Sequence, residues 1–375
     1  MNASRPPAEP GMSLEDVDTP ALVIDLSLFE KNMDVMAQAA RDGGVALRPH
    51  GKTHKCAVIG QQQMARGAVG ICVQKVDEAE ALVNGGIADV LVCNEVVSEG
   101  KLRRLASLAR QARIGICADD AENVEKLSVV AQSFGVVLRV LVEIDAGAER
   151  CGIAAGKPAA DLARLIEDLP SLKFGGLQAY HGSAQHMRTP EERCRAIDGI
   201  VDKVNQTRAA LQAEGLPCPT VTGGGTGTYP LEIVSGVYTE IQVGSYVFMD
   251  ADYGRNFGDD GLQSRCFEQS LFVYATVMSR PCGSRAVVDA GLKAISMDSG
   301  PPLVQEMLGL EYVFKGDEHG MIRLPKSFTG LHIGSKVLLV PGHCDPTVNM
   351  HDYFVGIRDG RVESVWPIAG RGPGR

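Results

Sequence analysis

The sequence predicts an α/β protein, a (β/α)8 barrel of the TIM type followed by a C-terminal all-β domain. Three observations carry this. Between residues 45 and 250, eight short apolar runs alternate with amphipathic helical stretches, the strand, loop, helix repeat that closes a barrel. Polar residues fall at the C-terminal ends of those runs, where barrels keep their catalytic groups. Beyond about residue 265 the long helical stretches stop and strand-like segments follow one another.

Taken in order, residues 1–12 (MNASRPPAEPGM) read as a disordered tail, and 13–27 hold TPALVIDL, a strand-like run that is a candidate to join the β domain. The barrel is expected over 20–260, with strands at 45–50, 67–76, 87–96, 113–119, 136–145, 173–181, 220–222 and 237–248 and helices at 99–111, 121–134, 158–168 and 190–214. A doubly wound open sheet uses the same alternation. The barrel is preferred because His50, Gln74, Asn94, Asp119, Asp145, Tyr180 and Thr222 each end an apolar run. The β domain is expected over 265–375, carrying a hairpin signal at Asp359-Gly360.

Composition narrows the function. Forty-six acidic against 37 basic residues give a formal charge of −9, which lacks the basic footprint of a nucleic-acid or anionic-lipid binder and points to small-molecule chemistry. No run approaches the roughly 20 apolar residues of a membrane span, and the start lacks an apolar signal core, so no membrane partner and a cytoplasmic location are expected. The ten cysteines never fall as C-x-x-C and read as reduced core residues.

Four clusters carry candidate chemistry. In the segment 48–55, RPHGKTHK, Gly51-Lys52-Thr53 is not a phosphate-binding P-loop, because that motif needs a glycine at 46, where alanine stands. Lys52 at a strand end, with His50 nearby to depress its pKa, is a candidate for imine chemistry; an exposed loop lysine is the plainer alternative. Residues 222–228, TGGGTGT, hold successive glycines that let backbone amides approach an anion closely, and Gly244-Ser245-Tyr246 after the eighth run could add donors to the same phosphate. Thr228 and Pro230 break the dinucleotide spacing, and a flexible loop is the alternative. His343 and Asp345, at i and i+2 on an extended segment, would offer imidazole and carboxylate to one divalent cation; a surface turn explains them as well. Tyr180 and His186 close the sixth run, where they cap the barrel or serve the site, and Arg150 follows the fifth, in a place where a guanidinium needs a partner.

The combination RPHGKTHK, GICVQKVDEAE, CNEV, VEIDAGAERCG, QAYHGSAQH, TGGGTGTY, GSYVFMDADYG and PGHCDPT resembles the D-threonine aldolase family, within the alanine-racemase-like fold of pyridoxal-phosphate enzymes, from about residue 18 to 366. The resemblance implies Lys52 as the Schiff-base lysine, Arg150 opposite the pyridine nitrogen, Tyr180 near the cofactor, and Gly225, Thr226, Gly244 and Ser245 around its phosphate. It implies His343 and Asp345 as ligands of manganese or magnesium, His186 as a base or partner of metal-bound water, and a homodimer. The expected activity is metal-assisted cleavage of D-3-hydroxy amino acids to glycine and an aldehyde. His-x-Asp, where related D-serine dehydratases carry His-x-Cys, favours the aldolase branch. The alternatives are a β-hydroxyaspartate aldolase, in which Arg255 would meet the second carboxylate, and a D-3-hydroxyaspartate or D-serine dehydratase. A non-catalytic pyridoxal-phosphate carrier, the alternative of a different class, has no use for the β domain or for His343 and Asp345.

Overall fold

The computed structural model describes residues 5–263, 266–307 and 309–374. These divide into two compact units, one from the described residues of Met1–Val35, Ser245–Arg255 and Gln263–Gly372, the other from Met36–Gly244, Asn256–Leu262 and Pro373–Arg375. Among the described residues no helix is long and apolar enough to cross a membrane.

The first strand, β1 (Ala21–Asp25), belongs to the β unit. All eight strands expected of the barrel are present in the other unit: β2 (Ala46–Leu47), β3 (Ile71–Val73), β4 (Asp89–Val92), β5 (Arg113–Ala118), β6 (Leu138–Glu143), β7 (Leu172–Ala179), β8 (Val221–Gly223) and β9 (Glu240–Ile241). Each pairs in parallel with its neighbours in the order β2-β9-β8-β7-β6-β5-β4-β3, and a parallel bridge from His50 to Cys72 joins the two ends into a ring. Helices connect the strands. The longest, Pro190–Ala213, starts where its sequence says it should: Thr189 and Glu192 form a capping box, and Pro190 occupies a first-turn position whose missing N–H costs nothing.

The ring encloses a polar network. The Arg48 guanidinium lies 2.7 Å from Asp89 and 2.9 Å from Glu240. Thr222 donates to Glu240 at 2.8 Å, and Gln242 donates to Thr222 at 2.9 Å and to Gln178 at 2.8 Å. Burying this many polar groups is tolerable only because each finds a partner.

The β unit is one nine-stranded sheet built from β1, β10 (Leu271–Cys282), β11 (Arg285–Val288), β12 (Leu303–Val304), β13 (Glu311–Phe314), β14 (Gly320–Arg323), β15 (Lys336–Val340), β16 (Tyr353–Arg358) and β17 (Arg361–Pro367). Its order is β11-β14-β13-β12-β15-β10-β1-β16-β17, and an extra β10–β11 pairing closes six of these strands on themselves. The β16–β17 hairpin turns through Asp359 and Gly360, both at positive φ, as its sequence signal requires.

The segment expected as a disordered tail differs. Residues 1–4 lie outside the described residues, but from Arg5 onward the chain is docked. Gly11 N donates to Val362 O at 2.8 Å, Val362 N to Met12 O at 2.9 Å, and Ala8 is buried against Val17, Val23, Tyr274 and Val355. Proline and polar composition suggested disorder; the edge of β17 supplied hydrogen bonds that no local pattern announces. The same cause moves β1 out of the 20–260 range read as barrel, since it pairs with β10 and β16.

Candidate active site

In the barrel unit, Lys52 stands in a tight turn just past β2. Gly51 N donates to Cys72 O and Lys55 N to Gly51 O, each at 2.7 Å. Glycine is required at 51, because a Cβ there would fall 2.9 Å from Ile71. Lys52 N meets His50 Nδ1 at 3.4 Å, and the ring's Nε2 lies 3.0 Å from Gln74. The two lysines of the motif differ in kind. Lys55 is buried, and its amine is spent on Glu78, whereas the Lys52 side chain is only half-buried.

Arg150 lies over the Tyr180 ring at 5.8 Å and reaches Glu143 at 4.0 Å, with half of its side chain exposed. Glu143 is buried at the end of β6, and Glu95, whose carboxylate oxygens are buried without a hydrogen-bond partner, follows β4. Burial first, and then the repulsion of Glu95 and the Cys93 thiol, push its pKa up to about 9, although Arg150 pulls the other way. Asp145, the residue singled out at this strand end, holds the following loop instead: its carboxylate accepts from Gly147 N at 2.9 Å, and that bond above all keeps its pKa low.

The glycine-rich loop packs on Gln185. Gly227 N donates to Gln185 Oε1 at 2.9 Å and Gln185 Nε2 donates to Thr228 Oγ1 at 2.7 Å. Gly224 has φ of 74°, and a Cβ on Gly225 would fall 2.5 Å from Gln185 Oε1, so the backbone of this loop is bare by necessity. A Cβ on Gly244 would fall 2.6 Å from the Thr53 hydroxyl, itself buried without a hydrogen-bond partner. His186 is exposed at the end of the 3-10 turn Ser183–His186.

In the β unit, His343 and Asp345 do not lie on one extended segment. His343 is the extended cap residue of the short helix Cys344–Val348, and Asp345 sits in its first turn, so one helix start rather than a strand period brings them to the same end. His343 Nδ1 lies 2.5 Å from Asp298. Burial lowers the imidazole pKa, but Asp345, Asp298 and Asp250 together outweigh it and hold the ring above its ordinary value. Asp250 is fully buried, which raises its pKa against the backbone N–H groups of Tyr253 and Cys344 that it accepts, each at 2.9 Å. Ser245 Oγ is 3.5 Å from Asp345. Arg255 is bound to Ser299 O at 3.1 Å and lies 3.7 Å from Asp252, with 45% of its side chain exposed.

Sequence reasoning missed Glu95, Glu143, Gln185, Asp250 and Asp298. Glu95 and Glu143 end apolar runs, so the strand-end rule reaches them; Gln185, Asp250 and Asp298 lie in irregular segments with no pattern to find them. A cavity of about 620 Å³ in the β unit, lined among others by Asp16, Lys293 and Asp352, includes none of the candidate cofactor, metal or substrate residues.

The geometry has relatives. Residues 24–252 match the alanine racemase N-terminal domain family, and residues 270–357 match a putative serine dehydratase domain. A D-threonine aldolase of Arthrobacter sp. is 48% identical over 98% of this chain and 96% of that protein. A 3-hydroxy-D-aspartate aldolase of Paracoccus denitrificans (strain Pd 1222) is 45% identical over the same shares. The crystal structure of D-threonine aldolase from Filomicrobium marinum superposes with a TM-score of 0.94 at 47% identity, covering 98% of this chain and 99% of that one. The chain therefore belongs to the D-threonine aldolase family, lyases of the alanine-racemase-like fold that work with pyridoxal phosphate and a divalent metal.

Proposed function

We propose that the enzyme cleaves the Cα–Cβ bond of D-3-hydroxy amino acids of the D-threonine type, giving glycine and an aldehyde. The observation that carries this reading is the surroundings of His343: one imidazole among the carboxylates of Asp345, Asp298 and Asp250, an oxygen-rich set that suits manganese or magnesium. Asp298 on Nδ1 would fix the tautomer, so a cation would be taken at Nε2 and by Asp345.

The residues of the barrel unit fit pyridoxal 5′-phosphate. The bare backbone at Gly225 and Gly244, with Thr226 alongside in sequence, suits the phosphate, and the orphaned Thr53 hydroxyl offers one more donor. Lys52 is assigned as the amine that holds the cofactor, and Tyr180 as the ring packed near it. Arg150 is assigned to the pyridine nitrogen, where a guanidinium can donate a hydrogen bond but not accept a proton. When bound, the cofactor supplies an electron sink at Cα and the metal a Lewis acid at the β-hydroxyl. His186 is assigned to take the hydroxyl proton, and the Lys52 amine to return a proton at Cα.

Arg255 bears on the side chain at Cβ. Its guanidinium is already turned to Asp252 and Ser299 and is half exposed, a placement that supports a threonine-like substrate over one with a second carboxylate. Ten free cysteines, five of them buried, support a reducing cytoplasmic setting. A homodimer is proposed from the family resemblance and is tested by sedimentation. Incubation with D-threonine, D-3-hydroxyaspartate and D-serine, followed by product identification, decides the chemistry. Glycine with acetaldehyde is expected; an oxo acid with ammonia would replace the aldolase reading by a dehydratase.

A further inference from the structure

Three thiols and an imidazole converge inside the barrel unit. Cys72 is the central residue of β3, Cys93 follows β4 directly, and Cys117 lies in β5. The β4–β5 register sets Val92 opposite Ile116, which brings Cys93 and Cys117 to the same height on neighbouring strands. Cys72, Cys93 and Cys117 pack together with Leu91 and Leu141, and none is more than 3% exposed. The Cys72 thiol donates to Arg48 O at 3.4 Å, and the Cys93 thiol to Leu91 O at 3.9 Å. One nitrogen of His50 and the sulfurs of Cys72 and Cys93 all lie within 4.8 Å of one another.

We propose that His50, Cys72 and Cys93, with Cys117 as a fourth donor, bind a soft cation such as Zn2+ or Cd2+ at a site separate from the His343 and Asp345 pair. The argument is geometric. Zinc holds thiolate at about 2.3 Å and imidazole at about 2.0 Å, so donors around it stand about 3.5–3.8 Å apart. Donors already within 4.8 Å reach that spacing by shifts of well under about 1 Å each. The chemistry sorts the two sites. Thiolates select d10 cations, whereas a carboxylate-rich set selects manganese or magnesium. Small size alone explains one buried cysteine, but not three packed together from consecutive strands, Cys93 level with Cys117 and Cys72 opposite Leu91, with an imidazole beside them.

Binding would release the thiol protons to solvent and pull the His50 ring away from Gln74. His50 also meets the backbone N of Lys52, so a soft cation here would displace the turn that carries that lysine. The site therefore inhibits, and it does so without touching the catalytic metal.

The test uses the holoenzyme with the exposed Cys194, Cys266 and Cys282 changed to serine. Titration with CdCl2 should give a sulfur-to-cadmium charge-transfer band that saturates at one equivalent, which a nitrogen and carboxylate site cannot produce. The band should be lost in Cys93→Ala and weakened in Cys72→Ala. Its absence in the parent, or its survival in both variants, would overturn the site. Should Cys93→Ala fail to fold, cadmium NMR of the parent decides: a resonance in the sulfur-rich range supports the site, and only an oxygen-range resonance refutes it. Excess Mn2+ should not relieve cadmium inhibition while a dithiol chelator should; full relief by Mn2+ would assign the inhibition to the catalytic metal instead.

Discussion

Two clusters of buried acid in the barrel unit have opposite character. Asp89 and Glu240 share the Arg48 guanidinium at 2.7 and 2.9 Å, deep in the ring, and Glu240 also accepts from Thr222. Glu143 is as deeply buried, Glu95 buries its carboxylate oxygens, and the cation at hand, Arg150, stands 4.0 Å from Glu143 with half of its side chain in solvent. In the first cluster both carboxylates are ion-paired to a buried guanidinium and serve the fold. In the second, burial and the carboxylate of Glu95 push the Glu143 pKa up to about 9, so its protonation follows its surroundings. The same residue type thus acts as scaffold or as a pH-responsive group according to its partner.

The comparison can be broken or sharpened by substitution. The largest effect is expected at neither cluster: Lys52→Ala should abolish turnover while leaving denaturant stability within about 0.5 kcal/mol, since the side chain is only half-buried. Borohydride reduction of the parent should label Lys52, and labelling of Lys75 or Lys293 would remove it from the cofactor.

Arg48→Met should cost about 3–5 kcal/mol of unfolding free energy, because buried Glu240 loses its ion-pair partner and Asp89 keeps only the exposed Arg113 at 3.1 Å. Adding Asp89→Asn and Glu240→Gln should recover part of it. A loss below about 1 kcal/mol would mean that the network is no better than a surface pair.

Glu143→Gln should act through pH. The native carboxyl titrates near 9 against an ordinary 4.5, so the folded state keeps a proton that the unfolded state gives up. The stability this group contributes is complete below about pH 4.5 and is lost progressively as pH rises toward 9. Relative to the parent, the variant should gain in melting temperature across that window. Parallel pH curves for the two proteins would sink the raised Glu143 pKa. Arg150→Leu should move the parent's curve to higher pH by less than about one unit, since an exposed cation 4 Å away is worth about 1 kcal/mol.

The smallest effect is expected at Arg255. A guanidinium this exposed and already facing Asp252 should, on change to alanine, alter kcat/KM for D-3-hydroxyaspartate relative to D-threonine by less than about tenfold, or 1.4 kcal/mol. A selective loss of a hundredfold or more on the dicarboxylic substrate would restore it as the carboxylate-binding group.

The sequence by itself determined the local and periodic features. Eight apolar runs gave eight parallel strands because alternation of strand and helix is written in hydrophobic period, and Asp359-Gly360 gave its hairpin because two consecutive positive φ angles suit few other residue pairs. It also singled out Lys52 and the His343 and Asp345 pair, since their motifs are contiguous. Only the tertiary structure decided which charges meet. It put Glu78 on Lys55 and Asp298 on His343, set Glu95 against Glu143, and gathered three cysteines from 72, 93 and 117 with His50. It docked the segment after Arg5 on β17, and it decided that the strand-like run at 19–26, offered by the sequence as a candidate for the β domain, pairs with β10 and β16. Each of these is a contact between residues tens or hundreds of positions apart, set by strand register and burial, and a single sequence carries no local trace of such pairings.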